Sequence, residues 1–139
     1  MTNVEVLKNK LSEIQKYLNV LKDYQEKSKD DLLKDQTLRG AVERYLYLLC
    51  QTTIDFAEAL LSHLNLRTPS TYGEIFEILG EGHIISTEMV LKMRKMTGFR
   101  NILTHAYGEI NLDILLEVLK KDINDFSTFI KEVKEQQKI

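Results

Sequence analysis

The sequence predicts an all-α protein, an up-and-down bundle of about five helices of which four are long and one is short. Three observations point to this fold class. The 139-residue chain contains one proline and six glycines, so long stretches lack a residue that breaks a helix. Apolar residues recur at intervals of three and four, which is the helical period. A fold of many short strands would instead need frequent turn residues.

The first two helices are predicted from apolar periodicity. The stripe of the first helix comprises Val4, Leu7, Leu11, Ile14, Leu18 and Leu21. A charged segment over residues 22–35 is predicted to form the following turn. The second helix should run from about Asp35 to Leu64 and span about 40 Å, a length that suits a bundle.

Capping signals place the other three helices. After Pro69, Thr71 followed three residues later by Glu74 resembles a capping box that opens a short helix. Ser86 is predicted to cap the fourth helix and Asn111 the fifth. Their apolar stripes comprise Met89, Met93, Met96, Leu103, Ile114, Leu115, Val118, Ile123, Phe126, Ile130 and Val133.

Composition indicates a single domain over residues 1–139. A chain that is 43% hydrophobic and 29% charged is ordinary globular material. Its longest apolar runs are about six residues, far below the ~20 needed to cross a bilayer, so no membrane association is expected. No cationic start is followed by an apolar block, so the protein is expected in the cytoplasm. The lone Cys50 lies in an apolar helical pattern and is predicted to be a buried, inert thiol.

The charge distribution argues against a globally basic nucleic-acid-binding protein. The net charge is −2, yet the segment from Glu88 to His105 carries four cations and one acid. Contact with RNA would therefore have to be local. The alternative is a solvated helix face without a ligand.

The segment from Arg100 to Tyr107 carries the strongest functional signal, since it holds a cation, an imidazole and a phenol within eight residues. A guanidinium matches phosphate oxygens, and histidine is the side chain whose ordinary pKa lies closest to neutrality. Such a group can act on a phosphodiester without a metal. The structural alternative is a pair of residues near a helix end, where the helix dipole favours cations.

Helical geometry restricts how this motif can act. On one straight helix, Arg100 and His105 lie about 140° apart around the axis, whereas Arg100 and Tyr107 lie about 20° apart. We therefore expect the helix to end near Thr104, and two subunits to meet across a two-fold axis as a homodimer.

The pattern Arg-x4-His-x-Tyr, with Asn101 after the arginine and an Asp-containing second helix, resembles the HEPN superfamily and specifically its HepT-like branch. The resemblance is clearest from Leu38 to Val133, and the block from Gly98 to Tyr107 is its specific part. It implies a dimeric helical bundle that acts as a metal-independent ribonuclease toxin, paired with a minimal nucleotidyltransferase antitoxin. It also implies that the antitoxin attaches AMP to Tyr107. The family includes members that bind without cleaving.

The mechanism that the resemblance implies can be argued from the side chains of the candidate site. His105 would be the general acid or base, and Arg100 would hold the phosphate while the RNA 2′-hydroxyl attacks and leaves a 2′,3′-cyclic phosphate. Asn101 would orient the site or satisfy backbone groups at the turn. Tyr107 would donate a hydrogen bond, stack on a base or pack at the dimer interface. Asp55 would hold Arg100 or His105, or be an exposed acid.

No cofactor or metal is predicted. His63, His83 and His105 lack the helical spacing of metal ligands. Gly80-Glu81-Gly82 follows a helix and lacks a third glycine, which argues against a phosphate-binding loop. A second hypothesis is a non-catalytic helical module that binds a nucleotide or a nucleotidyltransferase, because binding and cleavage of phosphate call for the same arginine.

Overall fold

The computed structural model describes residues 2–105 and 110–139, and every regular element in these ranges is a helix, as predicted. The helices are α1 (Asn3–Lys22), α2 (Lys29–Lys34), α3 (Gln36–His63), α4 (Tyr72–Glu81), α5 (Thr87–His105), α6 (Leu112–Glu117) and α7 (Ile123–Gln136). A π-helical segment, Val118–Asp122, joins α6 directly to α7.

The predicted caps are confirmed. The hydroxyl of Thr71 accepts a hydrogen bond from the backbone N–H of Glu74, and the hydroxyl of Ser86 accepts one from Met89. The side chain of Asn111 accepts from the first turn of α6. The box at α4 is incomplete, because the carboxylate of Glu74 accepts from the N–H of Ser70 rather than from the capping residue. Each cap satisfies backbone donors that the helix itself leaves unpaired.

The segment predicted as one long turn over residues 22–35 contains α2, which corrects that expectation. Ser28 and Asp31 form a reciprocal capping box at its start. Leu32 is fully buried, and α2 packs against α3 and α6. A short helix forms here because one apolar anchor and a good cap compensate for the polar composition around them.

The predicted fifth helix is interrupted by the π-helical segment. The carbonyl of Leu119, within this segment, accepts a hydrogen bond of 3.2 Å from the side-chain amide of Gln25. A π turn leaves carbonyl groups displaced from the regular ladder, and Gln25 supplies a donor for one of them. The donor, Gln25, lies 94 positions earlier in the chain, so no local sequence pattern predicts this hydrogen bond.

Helix α3 is the central element of the bundle and contacts α1, α2, α4 and α5. Its Phe56 packs edge-on against Phe129 of α7, and Phe76 of α4 packs against the same ring at a centroid distance of 5.6 Å. All three rings are fully buried. Burial of each contributes roughly 1.5–3 kcal/mol to stability, so this cluster fixes α3, α4 and α7 together.

Helices α4 and α5 approach closely because of a glycine. A Cβ atom at Gly80 would lie 2.5 Å from Cγ2 of Val90 on α5. Gly80 is therefore explained by helix packing rather than by a phosphate loop. Helix α5 packs against α3 as well as α4, and the Gly80 contact lies at the C-terminal end of α4.

Among the helices of the described ranges, none is both long enough and apolar enough to cross a membrane.

Candidate functional site

Arg100 lies in the second half of α5 and is half-buried between α3 and α4. Its Nε donates a hydrogen bond of 2.8 Å to Oε1 of Gln51, and its Nη1 donates one of 3.2 Å to Oδ1 of Asn101. The guanidinium carbon lies 5.7 Å from the ring centroid of Tyr47 and 5.1 Å from that of Tyr72. These contacts fix the orientation of a long side chain that would otherwise sample many rotamers.

The described partners of Arg100 are two amide oxygens and two aromatic rings, all of them uncharged. Within residues 2–105 and 110–139 it forms no ion pair, whereas Arg39, Arg67 and Arg94 each pair with at least one glutamate at 2.9–3.1 Å. Amide oxygens and aromatic faces orient a cation without cancelling its charge. Within the described part of the chain, no carboxylate therefore neutralises Arg100, and its oriented charge is available to an anionic ligand.

Asp55 reaches this centre indirectly. Its Oδ1 accepts a hydrogen bond of 2.9 Å from Nε2 of Gln51, whose Oε1 in turn accepts from Arg100. Asp55 was expected to hold Arg100 or His105, or to be an exposed acid; in the described structure its link to Arg100 runs through Gln51. The hydrogen bond to Asp55 fixes the orientation of the Gln51 amide. The Asp55 carboxylate therefore acts on Arg100 through Gln51, and its charge is separated from the guanidinium by that side chain.

His105 is the last residue of α5 and is exposed. The helix was expected to end near Thr104, but His105 still lies on the helix that carries Arg100. The hydroxyl of Thr104 donates a hydrogen bond to the carbonyl of Arg100. Five residues of α-helix place the two side chains about 140° apart around the axis. The side chain of Arg100 faces α3 and α4. Within one subunit, the side chain of His105 therefore leaves α5 in a different direction.

Asn101 is exposed and accepts a hydrogen bond from Arg100, which fits an orienting role. Tyr107, expected to carry the modification, lies outside the described residues.

Sequence reasoning missed three residues around Arg100, namely Tyr47, Gln51 and Tyr72, although it included Asp55. Tyr47 and Gln51 lie one turn apart on α3, and Asp55 follows one turn later, so the three share a face of that helix. Tyr72 opens α4. The sequence signal for these residues was the row of polar side chains on the otherwise apolar α3. Its role could be recognised only once the structure showed that α5 packs against it.

Cys50 is fully buried, as predicted. Burial raises the pKa of its thiol to about 12, against a smaller opposing effect of the nearby Arg100 charge. A thiol held in its protonated form is a poor nucleophile. The described residues also contain no group of three or more His, Cys, Asp or Glu arranged to hold a metal ion.

Comparison with known proteins identifies the family. Residues 14–133 match the family model described as HepT-like, ribonuclease HepT-like. The chain belongs to the HepT-like family. The matched residues include α3, α4 and α5, which carry every contact of Arg100 described above.

Two curated HepT-like proteins are similar to this chain. The mRNA nuclease HepT of Shewanella oneidensis is 33% identical over 101 residues, which is 73% of this chain and 76% of the relative. The tRNA nuclease HepT of Aphanizomenon flos-aquae is 28% identical over 135 residues, covering 96% and 92% of the two chains.

A solved structure shares the HepT-like fold. The tri-AMPylated HEPN toxin of Shewanella oneidensis, in complex with MNT antitoxin, superposes with a TM-score of 0.85 at 27% identity. The superposition covers 97% of this chain and 99% of that toxin. The all-α bundle predicted from helical periodicity is thus the fold of this family.

Proposed function

We propose that this protein is a metal-independent endoribonuclease toxin that is neutralised by a minimal nucleotidyltransferase antitoxin in the cytoplasm. The observation that carries the proposal is Arg100, oriented by Gln51 and without a carboxylate partner among the described residues, five residues before an exposed imidazole on the same helix. Membership of the HepT-like family and similarity to two named RNA nucleases support RNA as the substrate.

The chemistry follows from what RNA and these side chains supply. The 2′-hydroxyl of the substrate attacks the adjacent phosphorus, a P–O2′ bond forms and the P–O5′ bond breaks. His105 acts as general base or acid, taking the proton from the 2′-oxygen or giving one to the 5′-oxygen. Arg100 binds the nonbridging oxygens and stabilises the charge that develops on them. The products are a 2′,3′-cyclic phosphate and a 5′-hydroxyl.

A homodimer completes the site in this proposal. One α5 aims Arg100 at α3 and α4 and presents His105 about 140° away around the helix axis. A two-fold axis brings a second copy of both residues to the same cleft. Arg100 of one subunit and His105 of its partner can then contact one phosphate.

Control by an antitoxin is proposed on the likeness to the tri-AMPylated toxin bound to its MNT antitoxin. In this chain Tyr107 follows His105 by two residues, and we assign it as the acceptor of AMP. An adenylate there would bring a phosphate to Arg100.

The decisive experiment is incubation of the purified protein with single-stranded RNA in excess EDTA. Cleavage with 2′,3′-cyclic phosphate ends is expected, and His105→Ala should lower its rate about a hundredfold or more. His83→Asn is the matched control, since it removes an exposed imidazole from a residue with φ 58°, a conformation that asparagine tolerates. RNA binding by the wild type without any cleavage would instead identify a non-catalytic binding module.

A further inference from the structure

A second arginine shares an aromatic ring with Arg100. Arg44, on α3, lies with its guanidinium carbon 5.5 Å from the centroid of Tyr47, and Arg100 lies 5.7 Å from the same centroid. The two cations therefore cannot be farther apart than the sum of these distances. Arg44 is exposed, so it stands on the solvent side of the site.

Neither cation has a carboxylate partner within residues 2–105 and 110–139. Among the residues that the structure describes, Arg44 forms no ion pair, and neither does Arg100. Two like charges on one ring repel each other unless an anion lies between or beside them. The other arginines of the described chain are paired with glutamates. Arg44 and Arg100 therefore differ from them in having no such pair there.

An aromatic surface lies beside the two cations. Tyr72, at the start of α4, contacts Arg100 at 5.1 Å and is still 36% exposed. Alternation of cations and accessible aromatic rings is typical of sites for single-stranded nucleic acid, where phosphates bind the cations and unstacked bases lie on the rings. A duplex offers phosphates but no free base faces.

We propose that Arg44, Tyr47 and Tyr72 form a nucleotide subsite adjoining Arg100, which binds one unpaired nucleotide next to the scissile phosphate. Arg44 binds the neighbouring phosphate, and Tyr72 stacks on the base. The ring of Tyr47 contacts both guanidinium groups and sets the distance between them. The subsite deepens the proposed ribonuclease function and rests on it for the identity of the substrate. It makes single-stranded RNA the substrate class.

The test measures binding in a His105→Ala background, so that cleavage does not interfere. The probe is a short, fluorescently labelled single-stranded oligoribonucleotide, and its Kd is measured over a series of salt concentrations. Arg44→Gln should weaken binding about tenfold. It should also reduce the slope of log Kd against log salt by about 0.7, the value for one phosphate contact on a single strand.

Matched variants separate the subsite from general charge and folding. Arg67→Gln removes a guanidinium paired with Glu74 and Glu81, and should leave both Kd and slope nearly unchanged. Tyr72→Leu should weaken binding about tenfold with no change in slope, whereas Tyr72→Phe should retain affinity. Circular dichroism of each variant verifies the helical fold.

Specific results would overturn the subsite. These are equal effects of Arg44→Gln and Arg67→Gln, unchanged binding by Tyr72→Leu, or equal competition by a duplex of the same sequence. Failure of the ribonuclease proposal would be seen separately, as absence of cleavage by the protein with His105 intact. An inactive wild type that still shows the Arg44 and Tyr72 effects would keep the nucleotide subsite and remove the catalytic step.

Discussion

Gln51 accepts the hydrogen bond of Arg100 Nε at 2.8 Å, and this amide stands where a carboxylate would be the usual partner of an arginine. A carboxylate would bind the guanidinium more strongly and would also cancel its charge. The amide orients the cation and leaves the charge for a ligand. Asp55 completes the arrangement, since it holds the amide nitrogen of Gln51 and thereby directs the amide oxygen toward Arg100.

Gln51→Glu should therefore impair the enzyme although it preserves the shape of the side chain. The new carboxylate would pair with Arg100 and repel the substrate phosphate, so we expect Kd for RNA to rise about tenfold or more. The new carboxylate stays ionised when the pH is raised above the ordinary pKa range of glutamate, so a higher pH should not restore RNA binding. Gln15→Glu is the control, because it makes the same charge change at an exposed residue, whose side-chain amide donates a hydrogen bond to Asn19. Equal binding by the two variants would contradict a role for the neutral amide.

Replacement of Arg100 by lysine tests whether charge alone suffices. Lysine keeps the charge but loses the fork that donates to Gln51 and Asn101, so kcat/KM should fall at least about tenfold. Arg94→Lys, on the same helix and paired with Glu77, is the matched control and should retain activity. Full activity of the Arg100→Lys enzyme would show that a point charge is enough.

Mixing of two inactive variants tests whether the site is shared between subunits. In a mixed dimer of Arg100→Ala and His105→Ala chains, one site would combine the intact Arg100 of one chain with the intact His105 of the other. If half of the dimers are mixed, activity should return to about a quarter of wild type. Each variant alone supplies the baseline. Activity no higher than that baseline after subunit exchange would place Arg100 and His105 of one chain in one site.

The buried thiol of Cys50 gives a prediction about stability and pH. The pKa of this thiol is raised from 9.0 to about 12 in the folded protein. The unfolded chain therefore loses this proton first, and the contribution of Cys50 to stability, full below pH 9, should be lost as the pH rises toward 12. Unfolding of Cys50→Ala should show a shallower loss of stability over this window. Thiol labelling at pH 8 should be slow in the native protein and fast in denaturant, and rapid native labelling would contradict burial.

The sequence was sufficient to predict the helices whose signals are local. Periodicity placed α1 and α3, and side-chain caps at Thr71, Ser86 and Asn111 placed the starts of α4, α5 and α6. Helix α2 and the π-helical segment were not predicted, because Leu32 and the carbonyl of Leu119 depend on partners distant in the chain. The same reason separates Arg100, visible as part of a motif, from Gln51, which matters only through its contact across two helices.

The last prediction concerns control through Tyr107. On a continued helix this residue would lie about 20° from Arg100 around the axis, so an adenylate on its phenol would carry a phosphodiester toward the cation that binds substrate. Incubation with the cognate nucleotidyltransferase, ATP and magnesium should add AMP to Tyr107 and abolish RNA cleavage. Mass spectrometry of the peptide identifies the site. Tyr107→Phe is the control, since it should escape both modification and inhibition while keeping the aromatic ring. AMP found only on other residues, or full cleavage by protein that is completely adenylylated at Tyr107, would refute this form of control. Partial inhibition that follows the occupied fraction of Tyr107 would support it, because each occupied Arg100 removes one phosphate-binding site.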